Sequence, residues 1–251
     1  MSKRVFLILL MMSLIRLSFS QFSVSFNAGF NHDNIMYSDY LKNSIPSDIK
    51  DITTGPLNSF CFGGLVNYEL NKKFSLQSGL FYTGKGGTIT LTYYLTDQIK
   101  VIPNDRITPF YLELPLNIVY NYKNFQFFVG PYLNLGLAGR TVITGDLIGY
   151  GSIYDQSRAI KFGTSDSADL RPFNYGLNFG MGYRLNNFLF RLQYQIGKTD
   201  LRINLPAVGV NIQGLNLSTP AINQTYLLFS STITLSVGYV LFEEKGKGRK
   251  R

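Results

Sequence analysis

The sequence predicts an all-β fold: an eight-stranded antiparallel up-and-down transmembrane β-barrel with long extracellular loops. Three observations predict it. Apolar residues recur at every second position in eight segments. Very short and very long connections alternate between those segments. The polar positions carry Gly, Ser, Asn and Gln, with few Lys or Glu.

Residues 173–185 show the alternation most clearly. Every odd position from Phe173 to Leu185 is apolar, and no even position carries a large apolar residue. A period of two means a strand with two chemically different faces. Residues 22–30 repeat the pattern, with Phe22, Val24, Phe26, Ala28 and Phe30 against Ser23, Ser25, Asn27 and Gly29. So do 60–70, 74–82, 112–120, 125–137, 188–196 and 227–241. The segments run from about nine to fifteen residues, and roughly ten is what a tilted strand needs to cross a bilayer.

The tight connections are Asn71-Lys72-Lys73, residues 121–124 and Asn186-Asn187, rich in the Asn that tolerates left-handed backbone. The long ones are 31–57, 85–108, 141–170 and 200–224. Structureless loops of about 25 residues are unusual in compact soluble domains. Short turns at one end and long loops at the other characterise outer-membrane barrels. Thr88–Leu95 is itself strand-like and is expected to extend a hairpin above the membrane.

A soluble lipocalin-like barrel would turn its apolar face inward and carry charge outside. Small uncharged polar groups instead suit the interior of an eight-stranded barrel, which side chains just fill. Aromatic residues flank the short turns: Tyr68 and Phe74, Tyr120 and Phe125, Tyr183 and Phe188, then Tyr239 and Phe242. They are expected to form the periplasmic girdle, with Phe30, Phe60, Tyr82 and Phe173 in an outer one. Glu69, Glu113, Arg184 and Arg191 fall on the inward positions and are expected to form a polar network, because an ionised group in so narrow an interior needs a partner. Pro115 lacks a ladder donor, so a bulge or local irregularity is expected there. Cys61 should face inward as a small buried thiol.

The ends have their own character. Residues 1–20 read as a signal peptide: Lys3 and Arg4, an apolar run, then Ser18-Phe19-Ser20 before Gln21. Residues 21–242 form the barrel, and 243–251 a basic periplasmic tail. The net charge of +9 is shared among leader, body and tail, so the body has no basic face and no nucleic-acid partner is expected. One Cys and one His exclude a disulfide framework and any site built from several Cys or His ligands. No cofactor and no metal are expected.

Thr108-Pro109-Phe110-Tyr111-Leu112-Glu113-Leu114-Pro115-Leu116 resembles the "YLEIPL" strand of PorT-family outer-membrane barrels of Bacteroidota. Phe128–Tyr132, Tyr175–Tyr183 and Arg191–Gly197 carry the same likeness. The resemblance implies the barrel fold, an outer-membrane location and, for members close to PorT, a place near type IX secretion and gliding.

A non-enzymatic, monomeric barrel with a plugged lumen is therefore expected, since eight strands are too few for a general porin. Its role would be structural or binding, through the extracellular loops. One alternative is an accessory subunit of a type IX secretion or gliding complex. Another is a small enzyme at the barrel mouth near His32, next to Asp33, although a lone His-Asp dipeptide is a weak signature. Expected partners are outer-membrane lipid, the barrel-insertion machinery, which would read the terminal Val237–Phe242 pattern, and possible secretion-complex proteins.

Overall fold

A computed structural model describes residues 22–37, 49–96, 99–147, 151–164, 168–205, 209–212, 215–218 and 222–243. The expected signal peptide and the tail beyond Glu243 lie outside these residues. The strands are β1 (Phe22–Tyr37), β2 (Ile49–Gly55), β3 (Leu57–Glu69), β4 (Phe74–Gly84), β5 (Gly87–Thr96), β6 (Ile99–Tyr122), β7 (Phe125–Leu147), β8 (Gly151–Ala159), β9 (Phe173–Leu185), β10 (Phe188–Leu205), β11 (Gly209–Ile212), β12 (Leu215–Ser218) and β13 (Ile222–Glu243). Eight of them close the barrel, in the order β1-β3-β4-β6-β7-β9-β10-β13, with β13 returning to β1. Every neighbouring pair is antiparallel.

The faces follow the alternation. Phe30, Phe60, Leu116, Ile118, Leu177, Leu192, Leu235 and their neighbours form an exposed apolar belt, while Asn27, Asn31, Gln77, Asn117, Asn178 and Gln195 are buried inside. Polar groups in a lipid-crossing barrel have nowhere else to go. The interior also holds larger apolar side chains than the small-residue pattern suggests: Leu65, Tyr111, Val119, Phe128, Tyr132 and Leu189. Glycines on adjoining strands make room for them. A Cβ at Gly180 would sit 2.5 Å from the Phe128 ring, and one at Gly197 would sit 2.1 Å from the Tyr132 hydroxyl.

The long connections are largely strand. β6 and β7 continue well above the bilayer for 24 and 23 residues in all. β5 pairs with β6, β2 with β5, and β8 with the upper part of β7. This corrects the expectation of long loops over 85–108 and 141–170, while the hairpin expected at Thr88–Leu95 is present as β5. The reason is local: Thr, Ile and Tyr alternate there, and Ile89 is buried. The β10–β13 connection is expected as a long loop over 200–224, yet it carries the β11–β12 hairpin.

Two smaller expectations are met in part. One register runs across Pro115, with Phe81 opposite Glu113 and Ser78 opposite Leu116, so no bulge forms there, but the pairing lapses between those two points. The register shift toward β7 lies between Phe110 and Tyr111 instead. In the 121–124 turn the left-handed residue is Lys123 and not Asn121 or Asn124, whereas the 186–187 turn does use Asn186. The third short turn closes as an Asx turn, in which the backbone amides of Lys73 and Phe74 both donate to Asn71 Oδ1 at 2.9 Å.

The periplasmic rim carries ring pairs on all eight barrel strands. Phe22 packs on Tyr68, Phe74 on Tyr120, Phe125 on Tyr183 and Phe188 on Tyr239, with centroids 4.9 to 5.5 Å apart. Each pair joins strands directly opposite in the ladder. Sequence position alone pairs these aromatics across the short turns, whereas the structure pairs them between successive hairpins. Phe22 takes the place expected of Phe242, which is exposed on the outer surface. Near the outer edge Phe60, Phe62, Tyr82 and Phe110 form a ring cluster, while Phe30 and Phe173 are exposed.

Candidate functional site

The inward positions converge on Lys85 and Glu113. Lys85 follows the last residue of β4, one dyad beyond buried Thr83, so strand parity carries it into the lumen. Glu113 arrives from β6. Lys85 Nζ lies 2.7 Å from Glu113 Oε2, and the two residues are 3 % and 5 % exposed. Gln195 Nε2 donates to the other Glu113 oxygen at 2.8 Å. The Asn134 amide fits between them, donating to Glu113 and accepting from Lys85 at 3.1 Å each. Lys85 also stands 4.3 Å from the Tyr132 ring centre. Every partner reduces the cost of holding these charges away from water.

Further layers lie to either side. Arg191 donates to Gln77 Oε1 at 2.8 Å and lies over the Phe128 ring at 4.2 Å. Asn117 donates to the same Gln77 oxygen. Toward the mouth, Asn31 donates to Thr83 and Gly84 and accepts from Thr234. Asp33 accepts from Ser59 and Thr232. A cavity of about 20 Å³ remains between Glu113, Arg191, Gln195 and Cys61, room for about one water.

The four residues expected in one network therefore divide. Glu113 and Arg191 occupy the buried interior, but their polar partners are Lys85, Gln195 and Gln77. Arg184 lies at the periplasmic rim, where its guanidinium binds both oxygens of Glu243 at 2.7 and 2.8 Å. Glu243 is thus the last residue of β13 and not the start of a free tail. Glu69 ends β3 opposite Ser75, at the same rim. Cys61 is buried, as its parity requires. Strand parity separates the His32-Asp33 dipeptide. Asp33 points inward, while exposed His32 meets Asn58 Oδ1 through Nδ1 at 2.8 Å.

Above the aromatic band, the described residues between β8 and β9, 160–164 and 168–172, pack at the mouth. Ile160 and Leu170 are buried. The Phe162 ring packs edge-on against Tyr111 with centroids 5.8 Å apart, in the space that a side chain at Gly136 would fill. Asp169 fastens the segment, accepting two bonds from Arg158 Nη1 at 2.8 and 2.7 Å and one from the Lys161 amide. Beside it, Asp105 accepts a bond from Thr141. Burial pushes the Asp105 carboxyl up to about 6, against the opposing pull of Thr141 and Arg158.

No curated protein matches the chain. Among solved structures it is similar to Ail, the attachment invasion locus protein of Yersinia pestis, at 12% identity over 88% of this chain and 99% of that one, with a TM-score of 0.37. OprG of Pseudomonas aeruginosa is similar at 12% identity over 89% and 97%, with a TM-score of 0.37. The outer membrane protease OmpT of Escherichia coli is similar at 10% identity over 88% and 96%, with a TM-score of 0.41. Residues 15–202 match the outer membrane protein beta-barrel domain. The chain belongs to that family, and its place is the outer membrane of a Gram-negative bacterium.

Proposed function

We propose that the protein is a non-enzymatic barrel with a plugged lumen that acts through its extracellular surface. The observation carrying this reading is the interior itself, where the Lys85–Glu113 layer, the Arg191–Gln77 layer and the Phe162 cap follow one another along the axis. These paired and buried side chains support a lumen that carries no solute. The strands β2, β5 and β8 and the upper parts of β6 and β7 are then the surface that meets other molecules. The divergence of His32 and Asp33 supports a role without catalysis. Planar-bilayer recording tests the plug: purified protein should give no steady conductance, and a stable ohmic channel in the unmodified protein would overturn it.

The PorT-like Thr108–Leu116 stretch favours a second reading, an accessory subunit of a type IX secretion or gliding complex. A tagged copy drawn gently from the outer membrane should then bring stoichiometric protein partners with it. Recovery of the barrel alone would count against this reading and leave the first standing.

A further inference from the structure

We infer that Arg106 and Arg140 form a clamp for the phosphate group of an outer-leaflet lipid. Both residues are exposed, while the intervening positions Ile107 and Thr141 are buried, so both side chains leave the outer face of the wall. Thr108 stands opposite Arg140, and Phe110 opposite Ala138. Phe110 belongs to the outer aromatic cluster. Arg140 is therefore one dyad above the aromatic band and Arg106 two, which is the level of lipid headgroups.

The two arginines are diagonal neighbours on one face of an antiparallel pair, about 7 Å apart at the backbone. Two like charges so placed repel each other. Among the described residues neither has a carboxylate partner. Asp155, a carboxylate on β8, stands opposite Thr144, four residues further up β7. The Arg140 Nε donates to Ser157 Oγ, which holds the guanidinium and, among the described residues, leaves both Nη groups for an external acceptor. Thr88, opposite Arg106, and Thr108 add hydroxyls to the same strip. Paired guanidinium forks with hydroxyls suit a phosphate. The bilayer beside the apolar belt supplies that group on a lipid.

Native mass spectrometry of the detergent-solubilised full barrel tests this. The probes are a bisphosphorylated glycolipid, its phosphate-free counterpart and inorganic phosphate. The unmodified protein should retain the phosphorylated lipid, and Arg106→Gln with Arg140→Gln should weaken retention at least about tenfold. Lys198→Gln, an exposed cation on β10, should leave retention unchanged, and Arg140→Lys should give an intermediate result. Each variant is first checked for the gel shift of a folded barrel, and the single Gln variants carry the test if the double variant does not fold. Equal retention by the folded arginine variants would overturn the proposal, as would equal retention of the phosphate-free lipid. Binding of inorganic phosphate as tight as that of the lipid would also overturn it, by pointing to free phosphate.

Discussion

Lys85 and Glu113 meet as a buried ion pair inside the barrel although 28 residues separate them in the chain. Breaking one side of such a pair leaves the other charge buried and unmatched. Lys85→Met should therefore lower unfolding free energy by about 3–5 kcal/mol, whereas Lys85→Met combined with Glu113→Leu should cost far less. Urea unfolding in lipid vesicles, followed by the gel shift, measures both. A double variant as unstable as the single would show that the pair is not the cause.

Asp105 makes stability depend on pH. Its carboxyl is raised from 3.8 to about 6 in the fold, so folding favours the protonated form. That contribution is complete below pH 3.8 and is lost as pH rises to about 6. Asp105→Asn should remove this slope, matching the parent near pH 4 and exceeding its stability above pH 6. Unfolding midpoints across that range provide the check, and parallel curves for the two proteins would sink the assignment.

Asp169 holds the mouth segment. Asp169→Asn weakens the charge-assisted bonds to Arg158 without touching a barrel ladder. Limited trypsin digestion should then cut faster after Lys161, while the gel shift of the barrel persists. Cleavage unchanged in rate would mean that the buried Ile160, Phe162 and Leu170 hold the segment unaided.

The rim pairs should each make a modest contribution. Tyr120→Ala removes the partner of Phe74, and aromatic pairs are worth about 0.5–1.5 kcal/mol beyond their buried area. Tyr120→Phe should retain most of that. Comparing the unfolding midpoints of the two variants isolates the ring from the hydroxyl.

Much of the architecture is legible in the sequence, because a period of two commits every side chain to one face. The inward course of Glu113, Arg191 and Cys61 follows from that parity alone. The same count, continued past Thr83, reaches Lys85, but the glycines around it break the alternation and place it in the loop expected over 85–108. The separation of Arg184 from Arg191 is not legible. Parity gives the face of a residue and says nothing of its depth along the axis, which depends on shear between strands. Likewise the ring partners at the rim depend on which hairpin lies alongside, a tertiary fact. The upper strands look like loops because they carry no lipid belt, yet ladder pairing sustains them.

The Phe–Tyr contacts at the periplasmic rim always link two strands whose covalent connection runs the long way, over the outside. Each outer excursion is thus spanned at its base by a clasp on the opposite side of the membrane. A chain nicked or exchanged within any one of those excursions would still be fastened shut below it. The scaffold therefore leaves its outer surface open to rapid sequence change without placing closure of the wall at risk.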